Sequence, residues 1–368
     1  MSLPNRTLYH HEALSRYARH LGTQEIHTLI RPELDLHAIV AIHSTKRGPA
    51  IGGCRLHPYA TSGSAVKDVL RLSFGMTLKA AASELPHGGA KAVICMPRNG
   101  FRDREAAFAA FGDFVHSLNG RYITAMDMGT TTADMDVIAE RTPHVIGAAG
   151  QDSLQGDPSP YTANGVFLGI KAAVKFKLDK DTLDSVNVSL QGAGKVASTL
   201  CKHLVNAGAN VTICDTREEN VQALVNTLGV KTVSVDELIN VPCDVFSPCA
   251  VGATITTDFL QQTSATIIAG AANNQLSHAI VGKKCQELGI LYAPDYVLNA
   301  GGLIHAASVH DYRDVEYGDH LIERIYDRML TIFERSAKEN ITTNEVAKAL
   351  AREHLDKTVE PVVEDVIL

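Results

Sequence analysis

The chain has 368 residues, too many for one ordinary hydrophobic core, so two domains are expected. With 45% hydrophobic and 20% charged residues it has the composition of a globular protein that can bury a substantial interior. A net charge of −7, a pI near 6.1 and the lack of any basic block exclude nucleic acid or an anionic membrane surface as the main partner.

Residues 1–11 lack the apolar centre of a signal peptide and no apolar run approaches the length of a membrane span, so a cytoplasmic protein is expected. Seven cysteines, at 54, 95, 201, 214, 243, 249 and 285, include no C-x-x-C pair, which suits buried free thiols better than disulfides or zinc. Sixteen histidines form no H-E-x-x-H or other tight ligand set, and no metal site is expected.

Residues 11–31 carry a helix-like pattern, and 35–43 read as a strand with a buried stretch. In Gly48-Pro-Ala-Ile51-Gly52-Gly53-Cys-Arg55 the glycines suit a tight turn, either one that brings backbone near a bound molecule or a purely structural one. Over 64–82 the residues Val66, Val69, Leu70, Phe74 and Met76 recur at helical spacing and leave Lys79 near the far end. Lys91 follows across Leu-Pro-His-Gly-Gly, at the mouth of the apolar run 92–96. A lysine beside two residues without side chains can approach a ligand closely and lose water, as a base must. Taken alone, the two lysines are better explained as a solvated helix end and a strand-end charge.

A helix over 104–118 with Ala107, Phe108, Phe111, Phe114 and Val115 on one side leads to Thr124-Ala125-Met-Asp127-Met-Gly129. There a carboxylate ends a short strand at a Gly/Thr loop, a position for a catalytic acid or for a turn or helix cap. The aperiodic, Gly/Pro/Ser/Asp-rich stretch 147–160 is the expected hinge. It would divide a first domain, 1–147 with a return over about 342–368, from a second at 148–341.

After a helix over 162–177 the rhythm changes to short apolar strands alternating with helices. A strand over 186–191 runs into Gly192-Ala193-Gly194-Lys195-Val196-Ala197, a helix to 207, and a strand over 210–215 that ends on Asp215. This is the full context of a dinucleotide site: helix-start N–H groups for a pyrophosphate, small Ala197 where helix meets strand, and Asp215 for the ribose hydroxyls. An acidic residue there favours NAD over NADP, while Arg217 is placed to modify that preference. Strands at 244–247, 265–270 and 290–293 complete a doubly wound parallel sheet, whose loops around Cys249 and Ala250, Asn273 and Asn274, and Gly301 and Gly302 would face the nicotinamide. In the tail a helix is expected over 320–337, and Thr342-Thr-Asn-Glu345 reads as the capping box of a last helix to about 357 that would carry the chain back to the first domain.

Between Ala38 and Ala351 eight motifs stand in one order: Gly48-Pro-Ala-Ile-Gly-Gly, Gly75-Met-Thr-Leu-Lys79, Gly88-Gly-Ala-Lys91, Thr124-Ala-Met-Asp127-Met-Gly-Thr-Thr, Pro158-Ser-Pro-Tyr-Thr162, the Gly192 loop, Ala272-Asn-Asn-Gln-Leu and Tyr296-Val-Leu-Asn-Ala-Gly-Gly302. In that order they resemble the amino-acid dehydrogenase family that includes leucine, valine and phenylalanine dehydrogenases, leucine dehydrogenases most of all. The resemblance implies an α/β fold of two domains, an N-terminal one for substrate and oligomerisation and a Rossmann-like NAD-binding one, with a cleft that closes to exclude water. It implies reversible NAD-dependent deamination of an L-amino acid to a 2-oxo acid and ammonia, and a homo-oligomer, dimer or octamer.

By likeness to the family, Lys79 would hold the substrate carboxylate, with Gly52 and Gly53 beside it. Lys91 would activate the attacking water, and Asp127 would exchange protons with the substrate nitrogen. Thr162 and Asn273 match positions on the nicotinamide side and Asn274 one near the substrate. Ile51, Ala125, Leu303 and Ala306 match an apolar pocket suited to a branched aliphatic side chain, with aromatic substrates (phenylalanine or tryptophan) the alternative and a non-catalytic NAD-binding regulator a remote one. The chain departs from the usual leucine dehydrogenase pattern at Phe74, His87 and Met126, and in the pocket at Leu303, larger, and Ala306, smaller than the usual valines.

Overall fold

The computed structural model describes residues 6–149 and 157–356. The chain divides into two compact units, Met1–Gly156 with Ala351–Leu368, and Asp157–Leu350. Half of the stretch expected to be a hinge, residues 150–156, lies outside the described residues.

The first unit runs α1 (Arg6–Leu21), β1 (Glu25–Arg31), β2 (Leu36–Ser44), β3 (Ala50–His57), α2 (Ser62–Ala82), β4 (Gly88–Cys95), α3 (Arg104–Ser117), β5 (Tyr122–Met126), α4 (Thr132–Ala139) and β6 (Val145–Ile146). Its six strands form one mixed sheet in the order β1-β2-β4-β3-β5-β6, with β2 antiparallel to both neighbours and β3 to β6 mutually parallel. Local chemistry starts the helices: Thr61 and Ser64 form a capping box for α2, Asp103 caps α3, and Thr131 with Asp134 caps α4.

Two expectations fail in this unit. Residues 11–31 are not one helix: Gly22 adopts φ +80°, where other residues are strained, and stops α1, so 25–31 pairs with β2 as an edge strand. Gly52 and Gly53 are not in a turn but inside β3, and Gly88 and Gly89 open β4 rather than precede it. The reason is strand packing. A Cβ on Gly52 would sit 1.8 Å from the Ala90 carbonyl oxygen, and one on Gly89 2.1 Å from the Thr77 nitrogen of α2.

The second unit continues with α5 (Ser159–Leu178), β7 (Asn187–Gln191), α6 (Lys195–Asn206), β8 (Asn210–Cys214), α7 (Glu218–Leu228), β9 (Lys231–Thr232), β10 (Val245–Pro248), α8 (Thr257–Gln262), β11 (Ile267–Ile268), α9 (Ala279–Glu287), β12 (Leu291–Tyr292), α10 (Asp295–Leu298), α11 (Gly301–Tyr312), α12 (Val315–Glu323), α13 (Ile325–Glu339) and α14 (Thr343–Asp356). All six strands are parallel, in the order β12-β11-β10-β7-β8-β9. Counted from β7 this is 6-5-4-1-2-3, a doubly wound sheet whose order reverses between β7 and β10.

The helix expected over 320–337 is two helices. Asp314 caps α12 five residues early, accepting from the Tyr317 N–H at 3.0 Å, and the chain breaks at Arg324. Fully buried Ile325 then packs where Gly165 of α5 has no side chain, a tertiary fit that local periodicity does not encode. The capping box of α14 is present: Glu345 accepts from the Thr342 N–H and hydroxyl at 2.9 and 2.8 Å, and the Glu345 N–H donates to Thr342 Oγ1 at 3.2 Å. The division at 350/351 falls within α14. All seven cysteines are free thiols, each buried or half-buried. Among the described residues no helix is long and apolar enough to cross a membrane, and no three His, Cys, Asp or Glu side chains gather as metal ligands.

Candidate active site

The pleat of the first sheet decides which side chains meet. Ala38, Val40, Ile42, Cys54, Leu56, Ala92, Ile94 and Tyr122 share one core with Phe108 and Phe111 of α3 and Met135 and Ile138 of α4. The alternate residues Ile39, Ala41 and Val93 pack on the other face with Ala65, Val69 and Leu70 of α2. Ile51, Gly53 and Arg55 of β3, Lys91 of β4, Ala125 of β5 and Asp127 just beyond it have the parity of this second face. It is the face that carries α2, and therefore Lys79 in the last turn of that helix.

There the sequence-predicted pair meets. Lys91, 6% exposed in the fourth position of β4 rather than at its mouth, places Nζ 3.1 Å from Asp127 Oδ2. Gly53 lets this happen, since its Cβ would lie 2.9 Å from that of Asp127. The Asp127 backbone is pinned by turn contacts: its N–H donates to Thr130 Oγ1 at 2.9 Å, and the Thr130 N–H donates to its carbonyl at 3.1 Å. Ile51 is buried in β3 and Ala125 pairs with Gly53 across the strands. His87, the departure beside the glycine pair, is buried.

Sequence reasoning missed the other half of this cluster. Arg55 Nε donates to Asp127 Oδ2 at 2.9 Å, the oxygen that Lys91 also holds, and Nη1 to Asp68 Oδ2 at 3.3 Å. Asp68, on α2, also accepts from the Tyr59 hydroxyl at 2.8 Å and from Arg71 at 3.1 Å. An arginine in an otherwise buried strand, and an aspartate on the inner side of an amphipathic helix, were the available signals. The charges follow. Burial would raise the Asp127 carboxyl, but Lys91 and Arg55 outweigh it and hold it below the usual carboxylate range. Burial likewise pushes the Cys54 thiol, against the opposite face of the strand, up to about 12.

In the second unit the loops at the carboxyl ends of the strands converge. Gly192 adopts φ +108°, and a Cβ there would lie 3.1 Å from the Cys249 carbonyl carbon and 3.2 Å from Ala250. Gly252 lies against the Asn273 carbonyl, Ala253 donates to that of Asn274 at 2.7 Å, and Gly270 approaches Pro248. Two buried amides within these loops hold them together. Gln275 donates to the Gly270 and Ala272 carbonyls at 2.6 and 3.0 Å, and Asn299 to the Ala271 carbonyl and Asn273 Oδ1 at 3.0 and 2.9 Å. Thr162 lies against Gly302, at the start of α11. On that helix Leu303 and Ala306 share one half-exposed face while Ile304, His305 and Ala307 are buried.

The Gly192 loop suits a pyrophosphate. Gly194 caps α6 without a side chain, and nothing lies within 4 Å of where its Cβ would be. The first-turn N–H groups, of Lys195, Val196 and Ala197, are those a helix leaves without internal partners. Lys195 itself pairs with Asp157 at 3.0 Å. Asp215 is drawn over the loop, accepting from the Ala193 N–H at 2.6 Å and the Arg217 N–H at 2.8 Å. Burial opposes its ionisation, but these N–H bonds and the Arg217 charge prevail and keep its carboxyl below the ordinary value. A cavity of about 630 Å³ lies elsewhere, at the amino ends of β7, β8 and β9 around Asn187, Asn210 and Lys231.

Two family models match this chain: Glu/Leu/Phe/Val dehydrogenase, dimerisation domain, over residues 23–144, and Glutamate/Leucine/Phenylalanine/Valine dehydrogenase over 213–353. It is 43% identical to leucine dehydrogenase of Bacillus subtilis over 88% of each chain, and 39% identical to valine dehydrogenase of Streptomyces coelicolor over 87% of this chain and 88% of that one. The crystal structure of L-tryptophan dehydrogenase from Nostoc punctiforme superposes with a TM-score of 0.82 at 37% identity, covering 93% of this chain and 98% of that one. The chain belongs to the Glu/Leu/Phe/Val dehydrogenase family and is an amino-acid dehydrogenase, an oxidoreductase acting on the CH–NH2 group.

Proposed function

We propose that the enzyme carries out the reversible, NAD-dependent oxidative deamination of a branched-chain L-amino acid. The observation that carries this reading is the buried Lys91–Asp127 pair, set among glycines on the face that carries Lys79. The Gly192 loop and Asp215 would hold NAD, which would supply the hydride acceptor for the substrate Cα. Lys79 holds the α-carboxylate by charge, which fixes the orientation of Cα. Asp127, ionised, takes a proton from the substrate ammonium and offsets the positive charge of the imine. Lys91 accepts the proton of the water that attacks the imino carbon and releases it to solvent; the carbinolamine nitrogen then takes back the proton held by Asp127 and leaves as ammonia while Lys91 accepts the hydroxyl proton, so that the 2-oxo acid forms.

NAD over NADP is supported by Asp215, whose carboxylate lies over the Gly192 loop where it would repel a 2′-phosphate. None of Ile51, Ala125, Leu303 and Ala306, the positions that match the family's side-chain positions, is a cation, which argues against glutamate as substrate. The relatives named for leucine and valine point the same way, and the one named for tryptophan supports an aromatic substrate as the second reading. A methylene in an apolar pocket is worth only about 1–3 kcal/mol, so relatives this alike can differ in substrate. The dimerisation-domain match supports a homo-oligomer.

The test follows NADH formation at 340 nm with aliphatic, aromatic and acidic L-amino acids, and repeats it with NADP. The highest kcat/KM is expected with leucine, valine or isoleucine and NAD. A preference for tryptophan or phenylalanine installs the second reading, and no turnover across the panel despite bound NAD refutes both.

A further inference from the structure

Asp127 presents its two oxygens unequally. Arg55 Nε and Lys91 Nζ both hold Oδ2, at 2.9 and 3.1 Å, and among the described residues no hydrogen bond reaches Oδ1. Arg55 does not depend on Asp127 for its own position. Its Nη1 lies 3.3 Å from Asp68, and Asp68 is fixed in turn by Tyr59 at 2.8 Å and Arg71 at 3.1 Å. A planar guanidinium can join two carboxylates in set directions, which a single ammonium cannot do.

We propose that Arg55 is a positioning residue for the deamination: seated on Asp68, it anchors Asp127 Oδ2 so that Oδ1 faces the substrate nitrogen whatever the protonation state of Lys91. This rests on the reading of Lys91 and Asp127 as the proton-handling pair. During turnover Lys91 gains and loses a proton, and its grip on Oδ2 changes each time. With Lys91 as sole anchor, the carboxylate could swing at the step where its direction matters. With Arg55 as second anchor, one cation stays fixed throughout, since an arginine does not give up its proton.

The groups that meet Asp127 are Lys91 from β4 and Arg55 from β3, while Cys54 of β3 and Tyr122 of β5, on the opposite face of the sheet, feel its charge. Burial keeps Cys54 and Tyr122 protonated through the neutral range, so the two cations set its charge state. Removing Arg55 therefore both loosens Asp127 and lets it take up a proton at higher pH.

Arg55→Met, Arg55→Gln, Arg55→Lys and Asp127→Asn are compared with the wild type, using NAD and the amino acid that ranks first in the panel. Arg55→Met is expected to lower kcat about a hundredfold, the scale of a misplaced catalytic group, with the NAD Kd within about twofold of wild type. The acidic limb of its kcat/KM profile should move to higher pH by about one unit or more. Arg55→Lys should restore the limb, since the charge returns, but not kcat, since the two-carboxylate bridge does not. Thermal melting and NAD binding report folding. Should Arg55→Met not fold, Arg55→Gln, which keeps a planar donor without the charge, carries the test of the limb. A wild-type limb in the neutral variants overturns the proposal, even if kcat falls, because a merely structural role would leave the limb in place. Full activity in Asp127→Asn would refute the underlying pair and this proposal with it; an inactive Asp127→Asn beside a normal Arg55→Met refutes the role of Arg55 alone.

Discussion

Lys91 has only 6% of its surface exposed, yet it is a lysine in the middle of a strand whose other side chains are glycine, alanine, valine, isoleucine and cysteine. Such a residue is tolerated because Asp127 meets it, and the pairing leaves neither charge alone in the interior. Truncation to alanine removes the group proposed to accept the proton from water and leaves the Gly192 loop, in the other unit, unaltered in sequence. Lys91→Ala is therefore expected to reduce kcat by at least about a hundredfold, the lower range for a general base, and to leave NAD affinity nearly unchanged. Stopped-flow turnover and fluorescence titration with NADH check the two parts; substantial residual kcat would remove Lys91 from the base role. Both partners could be picked out from sequence, because each stands at a break between an apolar run and glycine. Arg55 could not, since its role depends on β3 lying between β4 and β5, and strand order is not written in local pattern.

At the scale of elements, the segments whose periodicity is carried by their own residues were legible: α2 with its capping box, α3 with its phenylalanines, and β7-α6-β8 with its glycine loop. Those decided by a neighbour were not. β3 holds its glycines because β4 and β5 flank it closely, and the break between α12 and α13 follows from packing on α5. The start of α4 shows how one residue joins elements. Asp134 caps its own helix through Thr131 and holds the Arg104 guanidinium of α3 through both oxygens at 2.7 Å. Burial would raise the Asp134 carboxyl, but Arg104 and Thr131 outweigh it, so the group ionises more readily folded than unfolded. Such a group stabilises the fold above its unfolded value, and the gain is lost as pH falls through the lower folded value. Asp134→Asn should cost roughly 2 kcal/mol near pH 7, the range of a hydrogen bond to a charged group. The difference should shrink as pH falls below the ordinary aspartate value of about 3.9. Urea denaturation of both proteins across pH measures it; a gap that widens in acid would contradict the assignment.

For the whole molecule, the two sheets divide the chemistry: the mixed sheet carries the charged pair, and the parallel sheet gathers the loops that suit a dinucleotide. The second was the more legible, because a parallel doubly wound sheet alternates strand and helix along the chain and places its loops at one end by rule. The mixed sheet has no such rule, and its β1 was read as helix for that reason. The free thiols in both units have a practical consequence. Every one of the seven is harder to ionise than an ordinary cysteine, chiefly through burial, with Cys54 and Cys285 pushed up to about 12 and Cys201 to about 11. Alkylating reagents and peroxide attack the thiolate, and at pH 7.5 a group with a pKa of about 11 exposes less than roughly one part in a thousand of it. The native enzyme should keep its turnover through an hour in iodoacetamide that labels all seven positions after denaturation, as mass spectrometry would count. Rapid loss of activity with a single adduct on Cys54 or Cys249 would contradict this. A catalyst with its sulfur so placed is expected to work without a reductant and to keep its rate when the thiol balance of its surroundings changes.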